Sequence, residues 1–303
     1  MMQVQAPSAV VMIRPHHFRS NPETQDDNAF QIASDGDVSE LARAEFDHVV
    51  ASLRTTGVTV HDFDDTGTGT PDSVFPNNWF STHAGGHIAV YPMQAANRRR
   101  ERRWDIIDML KSTYRVQDVI DYSGLEHDGL ALEGTGAMVL DHIARVAYVA
   151  RSHRADPVIL ERFCTHFNFE PLAFDAADAE GRPIYHTNVL MAVGIHVALV
   201  GLDMITDPNR RHMVATRLAE AGRDVIALTP RQIGEFAGNA IELWGKDGPL
   251  LALSARALDA LTDEQITRIE THARILPLDI PTLETAGGSV RCMIAGLHLS
   301  RRS

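Results

Sequence analysis

The sequence predicts an α/β fold of five like modules set in a ring, a pseudo-symmetric α/β propeller. The first observation is a recurring segment: PNNWFSTH around Asn78, LEGTGAMVL around Glu133, YHTNVLMAV around His186, AGNAIELWG around Asn239 and GGSVRCMIAGL around Cys292. Each sets a polar residue in or beside a turn-forming stretch and follows it with a short apolar strand. The second observation is the spacing, because the steps between those residues are 55, 53, 53 and 53. Fixed periods of this length mark repeated supersecondary units, which bury their apolar faces only against one another.

The intervening elements repeat too. VVMIRP near the N-terminus is a strand, VSELARAEFDHVVASLRTTG a helix and VTVHDF a further strand, pieces of the module that Cys292 ends. After Asn78 come GGHIAVYPM and a helical stretch from RRRERRW to KSTY. After Glu133 come ARVAYVARS and DPVILERFCTHFN, with Asp156 as N-cap and Pro157 in the first helical position. His186 is followed by HVALVGLD and by a helix opening at Asp207-Pro208, with Gly222 at its C-terminal end. Asn239 is followed by PLLALSARA and TDEQITRIETHA, where Thr262 and Gln265 have capping-box spacing. Nothing resembles a linker, so residues 1–303 read as a single catalytic domain.

Composition excludes some classes. An apolar share of 44% with 22% charged residues fits a globular chain with a sizeable core. A net charge of −12 argues against nucleic acid or an anionic membrane as the main partner. The opening MMQVQAPSAVVMIRPHH lacks a basic leader region, and no apolar run reaches the length of a membrane span. Two cysteines make no disulfide framework, and a cytoplasmic location is expected. Cys164, among Leu160, Phe163 and Phe167 at helical spacing, is read as a buried core thiol. His16-His17, His83 with His87, and Cys164-x-His166 lack a complete metal-ligand set and are read as solvent or core histidines. The run NRRRERRW is read as a solvated helix face, with Trp104, Ile107 and Leu110 opposite it.

A ring brings the five polar turns to one centre. A cysteine nucleophile needs a base or a positive neighbour, because a free thiol is mostly protonated at neutral pH. His186 can hold that proton and pass it to a leaving amine. Glu133 can either bind substrate N–H groups or orient the histidine.

These segments resemble a known family. LEGTGAMVLDHIARVAYVARSHR is similar to the segment around the acidic residue of dimethylarginine dimethylaminohydrolases and arginine deiminases. VFPNNWF, YHTNV and GGSVRC resemble other motifs of that guanidino-group-modifying superfamily, whose fold is the five-module pentein propeller. MIRPHHFRSNPETQDDNAFQ with VFPNNWFSTH is similar to the bacterial citrulline-utilization hydrolase branch. The resemblance implies Cys292 as nucleophile, His186 as general acid/base and Glu133 as the substrate-binding carboxylate. It implies Arg154 as the holder of the substrate α-carboxylate; Asn239, placed by the equal spacing, and Asn78 and Asn188, where the chain departs from the family, are read as substrate-binding side chains.

Arginine deiminases have aspartate where this chain has Asn78 and Asn188. A guanidinium favours paired carboxylates, whereas an amide suits the neutral ureido group with its carbonyl and N–H edges. The expected reaction is therefore L-citrulline plus water to ornithine, carbon dioxide and ammonia through an S-carbamoyl enzyme. Dimethylarginine or arginine hydrolysis is the alternative, and a non-enzymatic binding propeller is the rival of another class. The chemistry requires no metal or organic cofactor. The partner expected is a small amino-acid substrate, with room for a homodimer. Since a neutral substrate lends the thiolate no charge, the free enzyme is expected to hold His186 as imidazolium. The segment from His16 to Asn28 is a candidate substrate loop.

Overall fold

The computed structural model describes residues 5–32 and 36–302. Strand β1 (Ala9–Pro15) pairs in parallel with β2 (Thr59–Asp65), and the helix Ser39–Thr55 crosses between them. The same unit then recurs four times, each with a short hairpin before the crossover. It joins β3 (Phe80–His83), β4 (His87–Val90) and β5 (Asp118–Asp121) in one sheet. β6 (Val139–Asp141), β7 (Val146–Ala150) and β8 (Glu170–Phe174) form the next. β9 (Met191–Val193), β10 (Val197–Val200) and β11 (Asp224–Ala227) follow, then β12 (Ile241–Gly245), β13 (Gly248–Ser254) and β14 (Arg274–Leu278). In each, the first two strands are antiparallel and the last two parallel. The last strand, β15 (Ala295–Gly296), pairs antiparallel with β1, so the chain's two ends complete one module.

Side chains stitch successive modules around the ring. Thr135 Oγ1 donates to Asn77 O at 3.2 Å, Thr187 Oγ1 to Ala137 O at 2.5 Å and Asn239 Nδ2 to Asn188 O at 3.0 Å. Arg291 N donates to Asn239 Oδ1 at 3.0 Å, and Thr82 Oγ1 closes the circuit by donating to Gly296 O at 3.1 Å. One axial cavity is accordingly lined by the opening strands of all five modules, including Ser81, Leu140, Ala192, Ile241 and Ala295.

The caps behave as their chemistry dictates. Asp156 accepts from Val158 N and Ile159 N, and Thr262 with Gln265 forms a full capping box. Gly222 has φ of 81°, past the end of Pro208–Glu220. Cys164 is buried among Phe163, Phe167 and Phe169, and burial pushes its thiol up to about 12. His83 lies 4.2 Å from the Phe167 ring centre, and His166 contacts the Tyr122 hydroxyl at 2.6 Å. Among the described residues, no helix is long and apolar enough to cross a membrane.

The arginine run departs from its expectation. Arg98 is 2% exposed and paired inward, and Arg102 forms a forked pair with Glu126 at 2.9 and 2.7 Å. Trp104 is instead half exposed, leaving Ile106, Ile107 and Leu110 as the buried face of Trp104–Thr113.

Candidate active site

Four of the five polar turns are a single helical turn, a detail the strand-like patterning concealed. Asn78 ends Pro76–Asn78, Glu133 precedes Gly134–Ala137, His186 precedes Thr187–Leu190, and Cys292 lies within Val290–Met293. Glycine is required where these turns meet. Gly134 has φ of +46°, and a Cβ there would lie 2.4 Å from Asn77 O. A Cβ on Gly136 would lie 2.2 Å from the Asn78 amide and 2.8 Å from His186 Nδ1.

Cys292, His186, Asn78 and Arg154 line one small buried cavity, together with Asp72, Arg98, Thr24 and Asn28. Asn188 and Asn239 stand on the sulfur, their Nδ2 atoms 3.2 and 3.3 Å from Cys292 Sγ. Asn188 Oδ1 is buried with no hydrogen-bond partner among the described residues.

Behind the cavity, Glu133 Oε2 meets His186 Nε2 at 2.8 Å, Arg98 Nη1 at 3.4 Å and Arg154 Nη1 at 3.4 Å. Its other oxygen accepts from Gln94 N at 3.1 Å. Burial raises the Glu133 carboxyl, but Arg154, His186 and Arg98 outweigh it and hold it well below the usual range. Burial pushes the His186 imidazolium down to about 4, against the pull of Glu133, whose charge the two arginines already offset. That direction runs against the expected imidazolium and favours a neutral ring. Since ionised Glu133 only accepts, His186 carries its proton on Nε2.

Sequence reasoning missed Arg98 and Asp72. Arg98 forks onto Glu101 at 3.0 Å through Nε and Nη2 and lies 3.5 Å from Asp72. With its amide turned to suit its neighbours, Asn78 accepts from Arg98 at 3.0 and 3.1 Å and donates to Asn77 Oδ1 at 3.1 Å. Burial raises the Asp72 carboxyl despite Arg98, and its Oδ1 has no hydrogen-bond partner among the described residues. The segment from His16 to Asn28 reaches the site: Thr24 and Asn28 line the cavity, and Asp27 forks onto Arg154, with 2.9 Å between Nε and Oδ2.

The fold is shared with solved proteins. The N-terminal domain of ArgZ, an arginine dihydrolase from the cyanobacterial ornithine–ammonia cycle solved with substrate bound, superposes with a TM-score of 0.74. It is 14% identical over 96% of this chain and 99% of its own. AgrE with L-arginine gives a TM-score of 0.73 at 15% identity over 95% of this chain, which spans 40% of the AgrE chain. Dimethylarginine dimethylaminohydrolase as an adduct with S-methyl-L-thiocitrulline gives 0.65 at 13% identity, over 96% of this chain and 99% of that one. Comparison with curated protein sequences gave no match. Residues 14–299 match the family described as N,N dimethylarginine dimethylhydrolase, eukaryotic. The chain belongs to that family, within the pentein superfamily of guanidino-modifying enzymes, and is a hydrolase of non-peptide C–N bonds.

Proposed function

We propose that the enzyme hydrolyses the ureido group of L-citrulline, with Cys292 as nucleophile and His186 as the proton carrier. The observation that supports a neutral substrate is the saturation of Glu133. Its Oε2 already faces Arg98, Arg154 and His186, so its charge is shared by two guanidinium groups before any substrate arrives. Asp72, the one carboxylate among the side chains lining the cavity, already faces Arg98. A guanidinium brought between Arg98 and Arg154 would share Asp72 with Arg98 and meet two like charges, which disfavours it.

A neutral His186 can take up the thiol proton. The Cys292 thiol gives its proton to His186 as Sγ attacks the ureido carbon, and the Asn188 and Asn239 amides steady the charged sulfur. The tetrahedral species collapses as His186 gives that proton to the δ-nitrogen, releasing ornithine and leaving an S-carbamoyl enzyme. Water then loses a proton to His186 and attacks the thiocarbamate carbon. The tetrahedral species expels the Cys292 thiolate, which takes the proton back from His186, and the carbamic acid released decomposes to carbon dioxide and ammonia. Glu133 acts by fixing the ring and its tautomer. Arg154 receives the substrate α-carboxylate, and Asn78 braces Arg98.

A guanidino substrate is the second reading, favoured by Asp72 Oδ1, a buried acceptor that a guanidinium N–H would fill. Incubation with citrulline, arginine, dimethylarginine and agmatine, with ornithine, citrulline and ammonia all quantified, separates the two. Ornithine and ammonia from citrulline support the ureido reading. Efficient conversion of arginine to citrulline with no further breakdown refutes it.

A further inference from the structure

The axial cavity encloses about 50 Å³ and shares no lining residue with the cavity beside Cys292. Its wall carries four side chains that can hold charge, Arg291, His142, His298 and Glu242. Gln5 ties two modules together in the same wall. It donates to Leu140 O at 3.1 Å and Val193 O at 2.9 Å and accepts from His142 N at 2.8 Å.

Arg291 differs from the other inward-facing arginines. Arg98, Arg154 and Arg223 each meet a carboxylate, on Glu101, Asp27 and Asp141. Arg291 Nη1 instead donates to Ile294 O at 2.9 Å, and among the described residues its guanidinium has no carboxylate partner. Burial pushes that guanidinium down to about 10, and Cys292, its chain neighbour, is the charge that pulls it up.

The surrounding charges have the same sign. His142 and His298 stack with ring centres 4.0 Å apart, and His83 lies 6.0 Å from His142. Burial drives the His142 imidazolium well below its ordinary range, and His298, His83, Arg145 and Arg291 push it the same way. Glu242 is the one carboxylate in the lining. Burial pushes it up to about 7, and its Oε1 already accepts from Ile195 N at 3.1 Å. The space therefore faces one full positive charge that lacks a counter-ion of its own. A guanidinium taken from water without a partner is costly, and a planar oxyanion matches its fork. An ordered water needs ~10–15 Å³, so a space of about 50 Å³ suits an anion of a few heavy atoms and refuses an amino acid.

We propose that the axial cavity is a binding site for a small planar monovalent oxyanion, of the formate, nitrate and bicarbonate class, held by Arg291 with His142 beside it. The site is independent of which substrate the enzyme hydrolyses.

The test is calorimetric titration of the full chain with sodium formate at fixed ionic strength, with gluconate, too large for the cavity, as the balancing anion. The unmodified protein should bind formate saturably, lose that binding to competing nitrate, and gain Tm as formate is added. Arg291→Met should weaken binding at least ~10-fold, the scale of one lost charge-assisted hydrogen bond. If Arg291→Met folds poorly, His142→Gln reads the same site and should weaken binding at least ~3-fold. Arg154→Met, which removes the other arginine that can fork a carboxylate, should leave formate binding within ~2-fold of the unmodified protein. Three outcomes overturn the site. They are no saturable binding by the unmodified protein, binding unchanged in both Arg291→Met and His142→Gln, and binding lost in Arg154→Met but kept in Arg291→Met.

Discussion

Glu133 Oε2 lies 2.8 Å from His186 Nε2, and both side chains are buried, at 0% and 2% exposure. The carboxylate thereby fixes which ring nitrogen carries the proton and which one faces away from Glu133. It also serves as a shared counter-ion to Arg98 and Arg154. Glu133→Gln should therefore damage two properties together. Loss of ring orientation should lower kcat at least ~10²-fold, the low end of a general acid–base contribution. Two buried guanidinium groups losing their shared anion should cost about 3–5 kcal/mol of stability. Steady-state kinetics and urea unfolding check the pair, and a kinetic loss with unchanged stability would contradict the shared-anion account.

The two cysteines should separate cleanly. Cys292→Ser should abolish turnover in a folded protein, because a hydroxyl is a far poorer nucleophile than a thiolate. Cys164→Ser should retain the chemistry and lose stability alone, since its sulfur packs against Phe163 and Phe167. Thermal unfolding beside activity distinguishes these outcomes, and an inactive Cys164→Ser with an active Cys292→Ser would reassign the nucleophile.

How much of this was legible in the sequence follows from how the information is laid out. A period of 53 residues is a property of the chain itself, so Glu133, His186, Asn239 and Cys292 could be placed at one centre by counting. Arg98 could not. It stands in a run with Arg99, Arg100, Arg102 and Arg103, and nothing local separates it from them. Its burial is decided by Glu101, Asp72 and Glu133, two of which come from other parts of the chain. Asp27 was equally hidden, because its partner Arg154 is 127 positions away. Patterning also gave no sign that Asn188 serves the sulfur, since that contact depends on a helical turn too short to show a period.

The acid limb of the pH–rate profile should lie far below the usual histidine range. Burial pushes the His186 imidazolium down to about 4, and protonation below that value removes the base that takes the Cys292 proton. kcat/KM for citrulline should fall as pH drops through about 4, with no limb from this group near the unperturbed ~6.5. The linkage has the same sign. The unfolded chain protonates this histidine near ~6.5 and the folded chain only near 4, so its contribution to stability falls as pH drops across that window. An acid limb near neutrality with a fall on the alkaline side would mean that imidazolium is the working form.

Gly136→Ala should be one of the more disruptive small changes in the molecule. The added methyl would press on the Asn78 amide at 2.2 Å and on His186 Nδ1 at 2.8 Å, and neither neighbour is the end of a long flexible chain. Overpacking of this kind typically costs ~1–3 kcal/mol, and here the displaced groups are those that handle the proton. Activity should fall more steeply than stability. A variant with normal kcat would show that His186 has room the structure does not give it.

The two amides that set this chain apart from arginine deiminases should respond differently to conversion into carboxylates. Asn188→Asp removes a donor 3.2 Å from Cys292 Sγ and sets an anion beside a sulfur that must become negative. Like charges that close disfavour each other, so citrulline turnover should drop by more than ~10-fold, the factor that ~1.4 kcal/mol produces. Asn78→Asp sets its carboxylate against Arg98, which already contacts that amide at 3.0 and 3.1 Å, and the new ion pair should be tolerated. Its effect should be smaller, and it should draw Arg98 away from Glu133. Adding both carboxylates makes the cavity more negative by two charges, which favours a guanidinium over a ureido group. The double variant should therefore raise the ratio of arginine to citrulline turnover even if both rates are low. The measurement is kcat/KM for each substrate in the four combinations of the two sites. A double variant whose preference still matches the unmodified enzyme would mean that the amides do not set substrate charge, and that the selection lies with Arg98, Arg154 and Asp72 instead.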